Sequence, residues 1–307
     1  MASSSSADPP GSAPVGFVGL GNMGVPMVRR LAAGGIRVLA YDVAPAARAA
    51  VSEVDGVEVV ADAAGTAAGA AVVILMLPGS DAVEQVLDGG LLAALERGAL
   101  LVDMSSSEPA RTRALAGRVR DAGARLVDAP VSGGVTGARA GTLTIMVGGT
   151  DADAAEVGSL LELMGSRVLP AGPVGAGHAV KALNNLMSAT HLLVSAEALA
   201  AARRFGVDPG RFLEIVNTSS GRSGSTENKL PNYVLPGSYD SGFTLSLMLK
   251  DMRIAADLAA GLGTPDALSR ASVELWAKAA GELPGGADHT EIARWLGADR
   301  DDSDGAV

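Results

Sequence analysis

Six residues near the start of the chain, Gly19-Leu20-Gly21-Asn22-Met23-Gly24, have the spacing of a phosphate cradle. In such a GxGxxG turn the first glycine makes a tight turn, the second lets the backbone approach a pyrophosphate, and the third lets a helix pack against a strand. The anion then rests on unpaired N–H groups at the helix N-terminus. Asp42 follows 18 residues after Gly24, where a carboxylate can accept from adenosine ribose hydroxyls and repel a 2′-phosphate. The next residues are Val43, Ala44 and Pro45, with no Arg directly following, so the pattern favours NAD over NADP.

Two further groups of residues could do chemistry. Asp128-Ala129-Pro130-Val131-Ser132-Gly133-Gly134 offers one hydroxyl and several backbone N–H groups, and fits a carboxylate grip or a plain turn. Lys181 and Asn185 are four apart and share one helix face. A lysine on an Ala/Leu-rich helix either snorkels to solvent or, buried beside an amide, acts as an acid/base with a shifted pKa. Spacing alone leaves both open. His178, His191 and His289 have no role that spacing assigns. No two of them combine a metal-ligand spacing with acidic partners, so no metal site is expected.

Positioning these groups requires strands that end where they begin. Val15–Gly19 is a short apolar run ending in glycine, and a helical stretch follows through Ala33. Ile36–Asp42, Ala71–Leu77, Ala99–Asp103, Arg125–Asp128 and Leu143–Val147 continue as strands, with helices such as Pro109–Arg120 between most of them. Alternation of this kind implies an α/β fold with a doubly wound parallel sheet covered by helices on both faces. Ligands of such sheets bind beyond the carboxyl ends of the strands. This draws attention to Leu77-Pro78 and to Asp103-Met104-Ser105-Ser106, although each also suits a solvated loop with helix-capping serines. From His178 to Phe205 there is no Gly or Pro, which predicts one helix of ~40 Å. Pro209–Asn217, Leu245–Leu262, Pro265–Ala280 and Thr290–Leu296 also read as helices, and Thr218–Thr226 as a loop. The expected domains are a disordered arm over 1–14, a dinucleotide-binding domain over 15–177, an all-α domain over 178–298 and a disordered acidic tail over 299–307.

Composition narrows the function classes. A chain of 307 residues has room for two cores, and a formal charge of −10 disfavours a nucleic-acid partner. With no cysteine there are no disulfides, no thiol nucleophile and no Cys-based metal site. That usage is compatible with a reducing cytoplasm. The first 14 residues lack the basic start and apolar stretch of a signal peptide, and no apolar run approaches the ~20 residues of a membrane span. A soluble, cytoplasmic protein with no membrane partner is expected.

The chain resembles the β-hydroxyacid dehydrogenase family. Four segments match in order: GFVGLGNMG, DAPVSGG, GAGHAVKALNN and SGFTLSLMLKDM (Ser241–Met252). The resemblance covers about Val15 to Leu296. It implies a Rossmann-type N-terminal domain, a long helix leading into an all-α C-terminal domain, and a homodimer or homotetramer. It implies hydride transfer between NAD and a small-molecule hydroxyacid substrate. Lys181 takes the position of the family's catalytic lysine. Ser132, Gly133, Gly134 and Asn185 take substrate-binding positions. Leu77, Pro78, Ser106 and Lys250 take cofactor-contact positions. The same family reduces semialdehydes such as those of tartronate or succinate and oxidises serine or threonate, and the motifs do not separate these activities. Imine reductases and non-catalytic relatives usually lack the lysine, so Lys181 argues against both. After Met27 the family usually shows a small residue and, two positions on, Asn. Here Val28 and Arg30 stand instead, which puts the packing of that helix in doubt. Asn217–Asn228 and Tyr239–Phe243 are expected to shape the pocket.

Overall fold

A computed structural model describes residues 13–299. The expected arm over 1–14 and tail over 299–307 therefore lie outside the described residues, except for Ala13, Pro14 and Asp299. Asp299 belongs to the fold, because its carboxylate accepts a hydrogen bond from Tyr239 Oη at 2.9 Å. The chain divides into two compact units, the first ending at His178 and the second starting at Ala179.

The first unit is built on one sheet. Its strands are β1 (Val15–Val18), β2 (Val38–Tyr41), β3 (Val57–Val59), β4 (Val72–Leu75), β5 (Leu100–Asp103), β6 (Arg125–Asp128), β7 (Val131–Ser132), β8 (Leu143–Gly148) and β9 (Gly165–Gly172). The order across the sheet is β3-β2-β1-β4-β5-β6-β8-β7, with β9 on β8. From β3 to β6 every pairing is parallel. Alternate residues feed two separate cores. Phe17, Ile74, Leu100 and Val102 pack on one face, and Val18, Val73, Leu75 and Leu101 on the other. That is why these strands read as continuous apolar runs.

The far side of the sheet departs from the all-parallel expectation. β8 runs antiparallel to both β6 and β7. β6 and β7 act as one strand interrupted at Ala129-Pro130, and the short helix Gly134–Ala140, flanked by Gly133 and Gly141 at positive φ, brings the chain back at the same sheet end. A chain that returns at the same end can only pair antiparallel. β9 was not expected from the sequence. Its residues GSRVLPAG alternate poorly and include Pro170, as suits a partly exposed strand.

The second unit is helical. Its elements are Ala176–Arg204 (whose first three residues belong to the first unit), Pro209–Asn217, Leu245–Gly261, Ala267–Glu282 and Glu291–Trp295. Ala182, Leu186, Ala189, Leu193 and Ala196 recur at helical spacing along the long helix and pack in a core that includes the fully buried Trp276. The expected loop over Thr218–Thr226 ends at Gly224, and a wide-turned π-helix spans Ser225–Val234. Pro231 inside it has no N–H to donate and crowds the preceding turn, which an α-helix would not tolerate. The composition hid this helix because its turn-forming residues read as a loop. No described helix is long and apolar enough to cross a membrane.

Candidate active site

The sheet unit holds the phosphate cradle. β1 sits between β2 and β4, so the strand order reverses there, the place where open α/β sheets bind ligands. Gly19 ends β1 at φ 104°, a conformation that favours glycine. A Cβ on Gly24 would lie 1.9 Å from the Gly19 carbonyl oxygen, so the helix Gly24–Ala33 can approach the strand only with glycine there. A Cβ on Gly21 would meet no protein atom within 4 Å. The fold itself therefore does not require that glycine, and a pyrophosphate on the backbone explains it. The helix carries no side-chain cap and no acidic residue in its first turn, which leaves its N-terminus to an anion. Asn22 is exposed and Met23 half-buried in the turn. This arrangement fits a dinucleotide.

Asp42 lies just beyond β2. One carboxylate oxygen accepts from Leu20 N at 2.7 Å and the other from Ala44 N at 2.8 Å. The acid thus fixes the cradle turn to the end of β2. Although no Arg directly follows Asp42, Arg48 folds back to donate to the Asp42 and Val43 carbonyls and covers the Tyr41 ring. Val28 is fully buried, and Arg30 Nε donates to Leu163 O at 3.1 Å, so both departures from the family pattern are accommodated.

The strand ends beyond β4, β5 and β6 are tied together by a buried polar cluster that the sequence did not reveal. Asp103 accepts from Ser105 N at 3.0 Å and from Ser107 Oγ at 2.9 Å. Ser105 Oγ in turn accepts from Leu77 N at 3.0 Å. Ser105 and Ser107 are thus interior anchors, not serines of a solvated loop, while Pro78 is exposed and Ser106 half-buried. His178 Nε2 meets Ser105 O at 3.1 Å and Nδ1 meets Thr112 Oγ1 at 2.9 Å. A carbonyl oxygen only accepts, so Nε2 carries the hydrogen. Asp128 accepts from Gly175 N at 2.6 Å and His178 N at 2.8 Å, beneath the first turn of the long helix. Burial pushes its carboxyl up, opposed first by His178. Asp103 and Asp128 are register partners on adjacent strands, a pairing that leaves no spacing along the chain. Ser132 is half-buried at the end of β7, and Gly133 and Gly134 are exposed.

The helical unit holds the lysine. Lys181 is half-buried, and burial lowers its pKa; the Asp251 carboxylate opposes this and the Lys250 ammonium adds to it. Asn185 is buried, donates to Asp251 Oδ2 at 2.7 Å and accepts from Asn184 Nδ2 at 3.2 Å. Lys250 Nζ lies 3.4 Å from Asp251 Oδ1. The structure therefore brings Lys181, Asn185 and Lys250 together around Asp251, a residue that sequence reasoning passed over although it adjoins Lys250. Near Tyr239–Phe243, Asp288 accepts from Ser241, Gly242, Phe243 and Thr290. Among the described residues no group of three His, Cys, Asp or Glu could hold a metal ion.

Residues 14–172 match the family described as the NAD binding domain of 6-phosphogluconate dehydrogenase. Residues 175–296 match the family described as NAD-binding of NADP-dependent 3-hydroxyisobutyrate dehydrogenase. The mitochondrial 3-hydroxyisobutyrate dehydrogenase of Mus musculus is 42% identical, covering 82% of this chain and 77% of its own. The 2-(hydroxymethyl)glutarate dehydrogenase of Eubacterium barkeri is 38% identical, covering 79% and 81%. A solved structure of Mycobacterium tuberculosis 3-hydroxyisobutyrate dehydrogenase with L-serine superposes with a TM-score of 0.87 at 30% identity, over 92% of this chain and 99% of that one. The chain belongs to the β-hydroxyacid dehydrogenases, nicotinamide-dependent oxidoreductases that act on CH–OH groups.

Proposed function

We propose that the chain oxidises a small β-hydroxyacid such as 3-hydroxyisobutyrate, with NAD as hydride acceptor and Lys181 as general acid/base. The observation that carries this reading is the half-buried Lys181 beside the Asn185–Asp251 pair, its pKa lowered by burial. In its neutral form the lysine can take the substrate's hydroxyl proton, and its ammonium returns one in reduction. Bound nicotinamide supplies hydride acceptance at C4. Asn185 orients the lysine or the reacting oxygen through its remaining amide hydrogen. Ser132 and the backbone N–H groups of Gly133 and Gly134 hold the substrate carboxylate. Gly19 to Gly24 take the pyrophosphate, Asp42 the adenosine ribose, and Leu77, Pro78, Ser106 and Lys250 complete the cofactor site.

Homodimer or homotetramer assembly is part of this reading. Val180, Leu183, Met187 and Val194 form an exposed apolar stripe along the long helix, which supports it. A cytoplasmic location completes it. The test is initial-rate spectrophotometry of the purified protein with NAD and with NADP over 3-hydroxyisobutyrate, serine, threonate and 3-hydroxypropionate. The expected result is highest kcat/KM for 3-hydroxyisobutyrate with NAD. No turnover on any of the four, or a preference for NADP, would overturn the corresponding part.

A further inference from the structure

Lys229 has no place in the roles above. It stands half-buried in the wide-turned helix Ser225–Val234, and its Nζ donates to Ser188 Oγ at 2.7 Å. Ser188 lies three residues beyond Asn185 and seven beyond Lys181 on the long helix, so the three side chains form one stripe. At 1.5 Å per residue, Ser188 is about 10 Å along that stripe from Lys181.

The surroundings leave this ammonium unmatched. Burial brings Lys229 down to about 8, with Asp288 opposing, so it keeps most of its charge at neutral pH. Asp288 is committed elsewhere, to Ser241 Oγ, the N–H groups of Gly242 and Phe243, and both Thr290 donors. Burial and the Lys229 charge hold His289 at about 4, which makes it neutral. Among the described residues Ser188 is the hydrogen-bond partner of Lys229, and no carboxylate lies within ion-pairing distance. A largely desolvated ammonium against a single hydroxyl is costly unless an anion joins it. One positive charge with one hydroxyl suits a carboxylate; a phosphate dianion would call for more donors than these.

We propose that Lys229 and Ser188 form a specificity site for a second carboxylate, making the preferred substrates β-hydroxyacids with a carboxylate-bearing arm at C2. This rests on the dehydrogenase reading above. With the hydroxyl at Lys181, the methyl of 3-hydroxyisobutyrate falls short of Ser188, whereas a two-carbon arm ending in a carboxylate extends toward it.

The test compares initial rates of 3-hydroxyisobutyrate and 2-(hydroxymethyl)glutarate with NAD, in the wild type and in Lys229→Met and Lys229→Arg. The wild type is expected to show about tenfold or greater preference in kcat/KM for the dicarboxylate. Lys229→Met should collapse that ratio by about 100-fold, mainly through the KM of the dicarboxylate, as loss of a desolvated charge pair does. Lys229→Arg should restore most of it. A wild type that favours the monocarboxylate, or a Lys229→Met variant that slows both substrates by one factor, overturns the proposal. The wild-type comparison decides even if Lys229→Met does not fold. Oxidation of 3-hydroxyisobutyrate alone refutes this inference only, whereas oxidation of neither substrate also refutes the dehydrogenase reading.

Discussion

Each unit carries a buried polar cluster, and the two are finished differently. In the sheet unit Asp103, Asp128 and His178 are nearly removed from solvent, and the chain itself meets every one of their carboxylate oxygens and ring nitrogens. In the helical unit no described residue hydrogen-bonds the Lys181 ammonium, and Asp251 Oδ1 has no hydrogen-bond partner although Lys250 Nζ is 3.4 Å away. A satisfied buried network rigidifies what it joins, while an unfinished one retains capacity for a ligand. The first cluster therefore positions: it ties the Leu77 and Ser105 turns to the base of the long helix. The second reacts.

Removing the lysine should produce the largest effect. Lys181→Ala should lower kcat for hydroxyacid oxidation by about 10²–10⁴-fold, the usual contribution of a positioned acid/base. NADH affinity, followed by fluorescence titration, should change by no more than a few-fold. Turnover surviving within a few-fold would leave the unfinished cluster without a chemical role and break the comparison.

The closed cluster should respond in stability instead. Asp128→Ala leaves the Gly175 and His178 N–H groups buried without acceptors. The expected cost is about 2–4 kcal/mol in urea unfolding, from two stranded donors. The kcat of the folded fraction should fall far less than in Lys181→Ala. Full stability with a kcat loss matching Lys181→Ala would move Asp128 from the positioning set to the reacting one.

The contrast also explains what the sequence could convey. The cradle was legible because each glycine of Gly19–Gly24 answers a local demand of turn, approach or packing, and local demands leave a spacing. The strands β1, β4 and β5 were legible because burial on both faces makes them uniformly apolar. The antiparallel β8 was not, because direction depends on where the chain returns, and Leu143–Val147 looks the same either way. The Asp103–Asp128–His178 cluster joins residues 25 and 50 apart in sequence, through cross-strand register and a helix base. Neither leaves a pattern along the chain. Lys181 needed the family resemblance, since periodicity could not tell a snorkelling lysine from a desolvated one. Lys229 falls in the middle of a π-helix whose wide turns have no regular spacing in the sequence, so its pairing with Ser188 had no signature.

The smallest and most discriminating test sets the charges around Lys181 against each other. Oxidation needs the neutral amine, so kcat/KM for the hydroxyacid should rise with pH through the Lys181 pKa, which burial and Lys250 place below the ordinary lysine value of about 10.4. Removing a like charge relieves pressure on the ammonium, so Lys250→Ala should move the inflection upward. Asp251 stabilises the ammonium, so Asp251→Asn, which keeps an acceptor for Asn185, should move it downward. In the reductive direction the same group must be protonated, and both profiles should invert, with rate falling as pH rises. The proposed reading also places Lys250 at the cofactor, so the KM for NAD must be measured beside the profile. If Lys250→Ala raises that KM but leaves the inflection in place, Lys250 serves the cofactor alone, and Lys181 owes its lowered pKa to burial without help from its neighbour.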